Sequence, residues 1–192
     1  MKNIFGGIIF IFVLSGFFCQ AQTPSQAILN DFPYTNQLTE MWCWAASGQM
    51  IMDYLGTNVA QCVQADLFFN VSDCCAGDTP AICVNGGWPQ FEKYGFQYDY
   101  TQNQALTFSN IQDQINQNKP IAFSWHWLDS EGNDDRSGHM MVVYGWAFIN
   151  GIQYVIVHDP DGQYEGQMTY ESYVSGSDHN HWNDFYNIAK VQ

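Results

Sequence analysis

The chain has 192 residues, enough for one domain with a sizeable core, and at 46% hydrophobic and 17% aromatic it is too rich in core-forming side chains to be disordered. Five basic residues stand against 19 acidic ones, for a formal net charge of −14. That balance excludes a Lys/Arg-lined nucleic-acid groove, opposes adsorption to anionic membranes and favours solubility.

Residues 1–21 read as a secretory signal. Lys2 gives a positive start, Ile4 to Phe18 is almost wholly apolar, and Ala21 offers a small residue for cleavage. A domain spanning 22–192 and exported to the periplasm or the exterior is therefore expected. Lipidation at Cys19 is the alternative, disfavoured by the bulky Phe18 before it. The apolar run is short for a membrane span and no second stretch reaches that length, so no membrane association is expected after signal removal.

After a polar leader (22–30), Asp31-Phe32-Pro33-Tyr34 reads as extended and 35–40 as a polar loop carrying Gln37. From Cys43 to Leu55, Ala46, Met50, Ile51, Tyr54 and Leu55 recur at helical spacing, and Gly56 is a stop signal. A short second helix is predicted over Val59–Phe69, and a cysteine-bearing loop follows. Pro89, suited to a first helical position, leads into a third over Gln90–Tyr94, and Phe108–Asn118 forms the last, amphipathic one. The character changes at Lys119-Pro120. Strands are predicted over Ile121–Trp125, His139–Trp146 and Gln153–Asp159, the last two joined by an Asn150-Gly151 hairpin turn. Helices first and antiparallel strands after indicate an α+β chain, helical over about 31–118 and β over about 119–192.

Export makes the cysteines informative. Cys19 leaves with the signal, Cys62, Cys74, Cys75 and Cys83 cluster, and Cys43 stands apart. Adjacent cysteines seldom bridge each other, so Cys74 and Cys75 are expected to pair with Cys62 and Cys83, in an order the sequence leaves open. Cys43 is then the free thiol. A zinc site on the four lacks paired CxxC knuckles.

A cysteine opening a helix sits where the helix dipole favours thiolate, the nucleophilic form. Four further pieces accompany Trp42-Cys43-Trp44-Ala45-Ala46: Gln37 six residues earlier, Gly138-His139 opening a strand, Val157-His158-Asp159-Pro160 closing the next, and Cys83-Val84-Asn85-Gly86-Gly87-Trp88-Pro89. On these residues the chain resembles the papain-like cysteine peptidases, particularly compact bacterial secreted members related to bacteriocin-leader peptidases and effector proteases. The resemblance implies a papain-like fold with the active site between an N-terminal helical subdomain and a C-terminal antiparallel β subdomain. It implies Cys43 as nucleophile, His139 as general base, Asp159 as its orienter, and Gln37 with the Cys43 N–H as oxyanion donors. Gly86, Gly87 and Trp88 would form a cleft wall for an extended peptide.

The expected function is thus an exported peptidase that cleaves peptide bonds through an acyl-enzyme, monomeric, without cofactor or metal, acting on protein or peptide. Two rivals are a deamidase or acyltransferase using the same triad and a catalytically silent, disulfide-stabilised binding domain. The chain departs from the archetype at Glu40, where a cysteine is usual, and at Asp159 and Pro160, in place of asparagine and tryptophan. The stretch from Ala21 to Gln37 is short for an inhibitory pro-domain. Among other histidines, His126 shows no partner and His158 should face away from Asp159. His179-Asn180-His181 reads as an exposed polar loop. Trp125, Trp127, Trp146 and Trp182 are expected in the core or along the cleft.

Overall fold

Antiparallel strand pairing organises the chain, and helices pack on the sheet it builds. The structure is a computed structural model that describes residues 25–162 and 166–191; the expected signal segment, with Cys19 and Ala21, lies outside the described residues. Strand β1 (Gln26–Ile28) precedes helices α1 (Cys43–Tyr54) and α2 (Gln61–Phe69); β2 (Phe96–Tyr100) and α3 (Phe108–Asn116) follow. Then come β3 (Ile121–Leu128), β4 (Asp134–Ile149), β5 (Ile152–His158), β6 (Gly166–Thr169), the short helix α4 (Tyr170–Val174) and β7 (His179–Lys190). The strand order is β2-β7-β3-β4-β5-β6, with β1 paired to β4. This is the α+β, papain-like architecture expected from the sequence.

The long β4 links two halves of the sheet. Its first part pairs with β3, from Leu128↔Asp134 to Ile121↔Val143; its last part pairs with β5, from Val142↔His158 to Ile149↔Ile152. Past Val143, β1 takes the place β3 has left, with Ile28 opposite Gly145. Asn150 and Gly151 both have positive φ (52° and 83°), the left-handed pair that a two-residue hairpin turn requires.

Helix α1 is buried on nearly all sides, from Trp44 to Met52, because it lies between α2 and β4. Helix α3 is amphipathic and buries Phe108, Ile111 and Ile115. Its start is fixed by the Thr107 hydroxyl, which accepts a hydrogen bond from the Asn110 N–H at 3.2 Å.

The structure departs from the sequence reading at several elements. β1 lies in the expected polar leader, and β2 lies within the expected helical part. Position 119 is therefore not a structural boundary, since residues on both sides of it belong to one sheet. Over Gln90–Tyr94 only a 3-10 turn forms, at Phe91–Tyr94. His179 and His181 are not in an exposed loop but open β7, buried. The His179 ring stacks on Trp125 at 3.7 Å, and its nitrogens face Asp178 Oδ1 and the Ser172 carbonyl. The His181 nitrogens face the Tyr173 carbonyl and Asp184 Oδ2, and the Tyr173 hydroxyl also donates to Asp184. Satisfied polar atoms and ring stacking make that burial tolerable.

Candidate active site

Cys43 is the first residue of α1, and the residue before it, Trp42, makes no side-chain cap. The first-turn N–H groups, which lack partners inside the helix, are left uncapped by a side chain beside the sulfur. Both flanking indoles reach the glycine-rich string: Trp42 Nε1–H donates to the Cys83 carbonyl at 2.6 Å and Trp44 Nε1–H to that of Asn85 at 3.4 Å. Farther along α1, the Ser47 hydroxyl donates to the Met140 carbonyl at 3.2 Å. That bond ties the helix to β4 one residue from His139.

His139 lies opposite Trp125 in the β3–β4 ladder, and the Val142↔His158 register brings the end of β5 alongside. His139 Nε2–H donates to Asp159 Oδ1 at 2.6 Å, and the carboxylate is fully buried. The turn after β5 fixes that carboxylate. The Asp161 N–H donates to the same Oδ1 at 2.9 Å, while the Tyr34 hydroxyl and the Gly162 N–H both donate to the Asp159 carbonyl at 3.0 Å. Cys43 also acts on the ring, by hydrogen bonding and by charge. Burial alone would lower the imidazole pKa; the hydrogen bonds to Asp159 and Cys43, with the charges of both, instead raise it from 6.5 to about 9. Trp127 lies nearly parallel to the His139 ring, with centroids 6.4 Å apart.

Cys43 and His139 face a cavity of about 390 Å³. Gly86, Gly87 and Trp88 line it, and Arg136, Gly138 and Trp182 also contribute. Trp88 meets Trp182 edge to face at 4.8 Å. A Cβ on Gly87 would come within 2.8 Å of the Trp44 ring, so the string lies close against α1 only because this residue is glycine.

Gln37 does not line the cavity. One N–H of its side chain donates to the Glu40 carbonyl at 3.0 Å; the second hydrogen of that amide has no partner fixed by this bond. The clustered cysteines form Cys62–Cys75 and Cys74–Cys83 bridges, and Cys43 is the free cysteine among the described residues. His126 does have a partner, Asp134 Oδ2 at 3.1 Å, and stacks on Trp182. His158 packs on Tyr144 and faces the Pro33 carbonyl. Trp125 and Trp146 are core residues, whereas Trp182 walls the cavity. Among the described residues no cluster of three or more His, Cys, Asp or Glu side chains is arranged to hold a metal ion, and no helix is long and apolar enough to cross a membrane.

Sequence reasoning placed Trp127 in the core or along the cleft without assigning it to His139, and it missed Arg136 and the Tyr34 contact. For Arg136 and Tyr34 no local pattern gives notice.

The sequence profile of the peptidase C39-like family matches residues 29–190. Among solved structures, a C39-like peptidase from Bacillus anthracis is similar over 88% of this chain and 100% of its own, at 16% identity and a TM-score of 0.57. The peptidase domain of Streptococcus ComA, a bifunctional ABC transporter involved in a quorum-sensing pathway, is similar over 83% of this chain and 99% of its own, at 17% identity and a TM-score of 0.50. Among curated proteins no relative matches.

Proposed function

The chain belongs to the peptidase C39-like family of papain-like cysteine peptidases, and on that premise we propose that it is an exported endopeptidase working through Cys43, His139 and Asp159. The observation that carries this reading is the His139 ring bonded to the buried Asp159 carboxylate and sharing one cavity of about 390 Å³ with the single free thiol of the described residues.

In this mechanism Cys43 gives its proton to the His139 nitrogen that Asp159 leaves open, and the thiolate attacks the scissile carbonyl. The Cys43 N–H and the Gln37 amide donate to the oxyanion that develops. His139 then protonates the departing amine, the C–N bond breaks, and an acyl-enzyme remains. Water, deprotonated by His139, attacks the thioester and releases the acid and free Cys43. Gly86 and Gly87 offer backbone for pairing with an extended substrate. Two disulfides suit an oxidising compartment, which supports export.

With a denatured protein as substrate, Cys43→Ala is expected to abolish cleavage and His139→Ala to lower kcat by about 10²-fold or more. Full activity in either variant would overturn the mechanism. Ammonia release from intact protein, without new termini in mass spectra, would instead mark a deamidase built on the same residues.

A further inference from the structure

The segment Asn36-Gln37-Leu38 is held from both edges, although it belongs to no strand. On one edge the Gln37 N–H donates to the Pro160 carbonyl at 2.9 Å, next to Asp159 in the turn that carries the carboxylate. On the other edge stands a single side chain, Gln61, at the start of α2. Its Oε1 accepts from the Leu38 N–H at 2.9 Å, and its Nε2 donates to the Asn36 carbonyl at 2.8 Å. Its second amide hydrogen goes to Gln49 Oε1 on α1, at 3.3 Å. Gln61 is 1% exposed, so water does not compete for these bonds.

The carbonyl before a residue and the N–H after it are the two groups that one residue of a parallel neighbouring strand would bond. The Gln61 amide stands in for that neighbour's N–H and C=O. With residues 36 and 38 held on one edge and 37 on the other, the Gln37 Cα–Cβ direction is fixed by backbone bonding on both sides. We infer that Gln61 is a positioning residue for the oxyanion hole, holding Gln37 in place from the α2 side while Pro160 holds it from the β5 side. The inference rests on the reading of Gln37 as an oxyanion donor.

A double-mutant cycle tests it, using Gln61→Met, Gln37→Ala and the pair in the full mature protein, with peptide hydrolysis and iodoacetamide alkylation of Cys43 both measured. Alkylation passes through no oxyanion, so it reports the Cys43–His139 pair without Gln37. Gln61→Met is expected to lower kcat about 10-fold with KM within about twofold, part of the 10²–10³-fold that a lost oxyanion donor costs. It should leave the alkylation rate unchanged and cost nothing further in the Gln37→Ala background. Gln61→Glu keeps the acceptor for the Leu38 N–H but sets a second acceptor against the Asn36 carbonyl and Gln49 Oε1, so it too is expected to lower kcat with alkylation unchanged; it carries the test if Gln61→Met does not fold. An equal loss of kcat in the Gln37→Ala background, alkylation falling in step with hydrolysis, or unchanged kcat in Gln61→Met would each overturn the assignment. If Gln37→Ala itself keeps full kcat while Gln61→Met loses it, the reading of Gln37 fails and the assignment of Gln61 to it fails too.

Discussion

His139 holds its proton well above the ordinary imidazole range because Asp159 and Cys43 together outweigh the cost of burial. The folded value of about 9 exceeds the ordinary 6.5, so the stabilisation from this group is complete below about pH 6.5 and is lost as pH rises through about 9. Asp159→Asn removes the largest of the raising influences. The alkaline limb of kcat/KM, which reports the free enzyme, is expected near 9 in the wild type and displaced toward 6.5 in the variant, with kcat lower by about 10²-fold. Thermal unfolding followed from pH 6 to 10 should show a decline in the wild type that the variant lacks. An alkaline limb left in place by the substitution would show that Asp159 does not set the charge of the ring. At this scale the sequence was legible where chemistry restricts the residue type. A helix-mouth cysteine, a strand-opening histidine and an aspartate closing the next strand each announce themselves. Gln61 and Tyr34 do not, because each acts on backbone groups of a segment distant in sequence, and any glutamine or tyrosine looks the same before folding.

The element that forms the cleft wall, residues 83–88, owes its position to α1. The Trp42 and Trp44 indoles donate to it, and Gly87 lies against the Trp44 and Phe68 rings. The two adjacent glycines are therefore expected to differ. A methyl at Gly87 would meet buried Trp44 at 2.8 Å, whereas one at Gly86 would meet only Met41 Cε at an ordinary 3.6 Å. Gly87→Ala should cost about 1–3 kcal/mol in thermal or urea unfolding and raise KM, as expected of an overpacked contact. Gly86→Ala should leave stability within about 0.5 kcal/mol of wild type. Equal stability in the two variants would mean that Gly87 is not held against α1. Elements with a clean apolar period, such as α3 and β5, were legible in advance. β2 and β7 were not, because Phe96–Tyr100 and His179–Lys190 carry polar and aromatic residues without strict alternation. Their pairing with each other and with β3 comes from tertiary contacts that no short window of sequence records.

Over the whole molecule, one continuous sheet carries His139 and the turn with Asp159, while the helices on it carry Cys43 and Gln61. The site therefore exists only when α1 is seated on β4, and the Ser47–Met140 bond lies at that seat. The order of helices before strands was enough to anticipate this division. It did not reveal that the sheet draws strands from both ends of the chain, since β1 and β7 join it from opposite termini.

The two bridges, Cys62–Cys75 and Cys74–Cys83, meet at neighbouring residues. Together with the 74–75 peptide bond they form a continuous covalent path from α2 to the cleft wall, parallel to the chain itself. Most of the stretch from Cys75 to Ile82 is exposed and presents itself to any protease in the surroundings, including other copies of this one. A single cut anywhere between Cys62 and Cys83 nevertheless leaves its two fragments joined through sulfur. Limited digestion is expected to give one intact band in non-reducing gels, two bands after reduction, and retained hydrolysis in the nicked form. Fragments that separate without reductant would show that this pairing does not form in the protein.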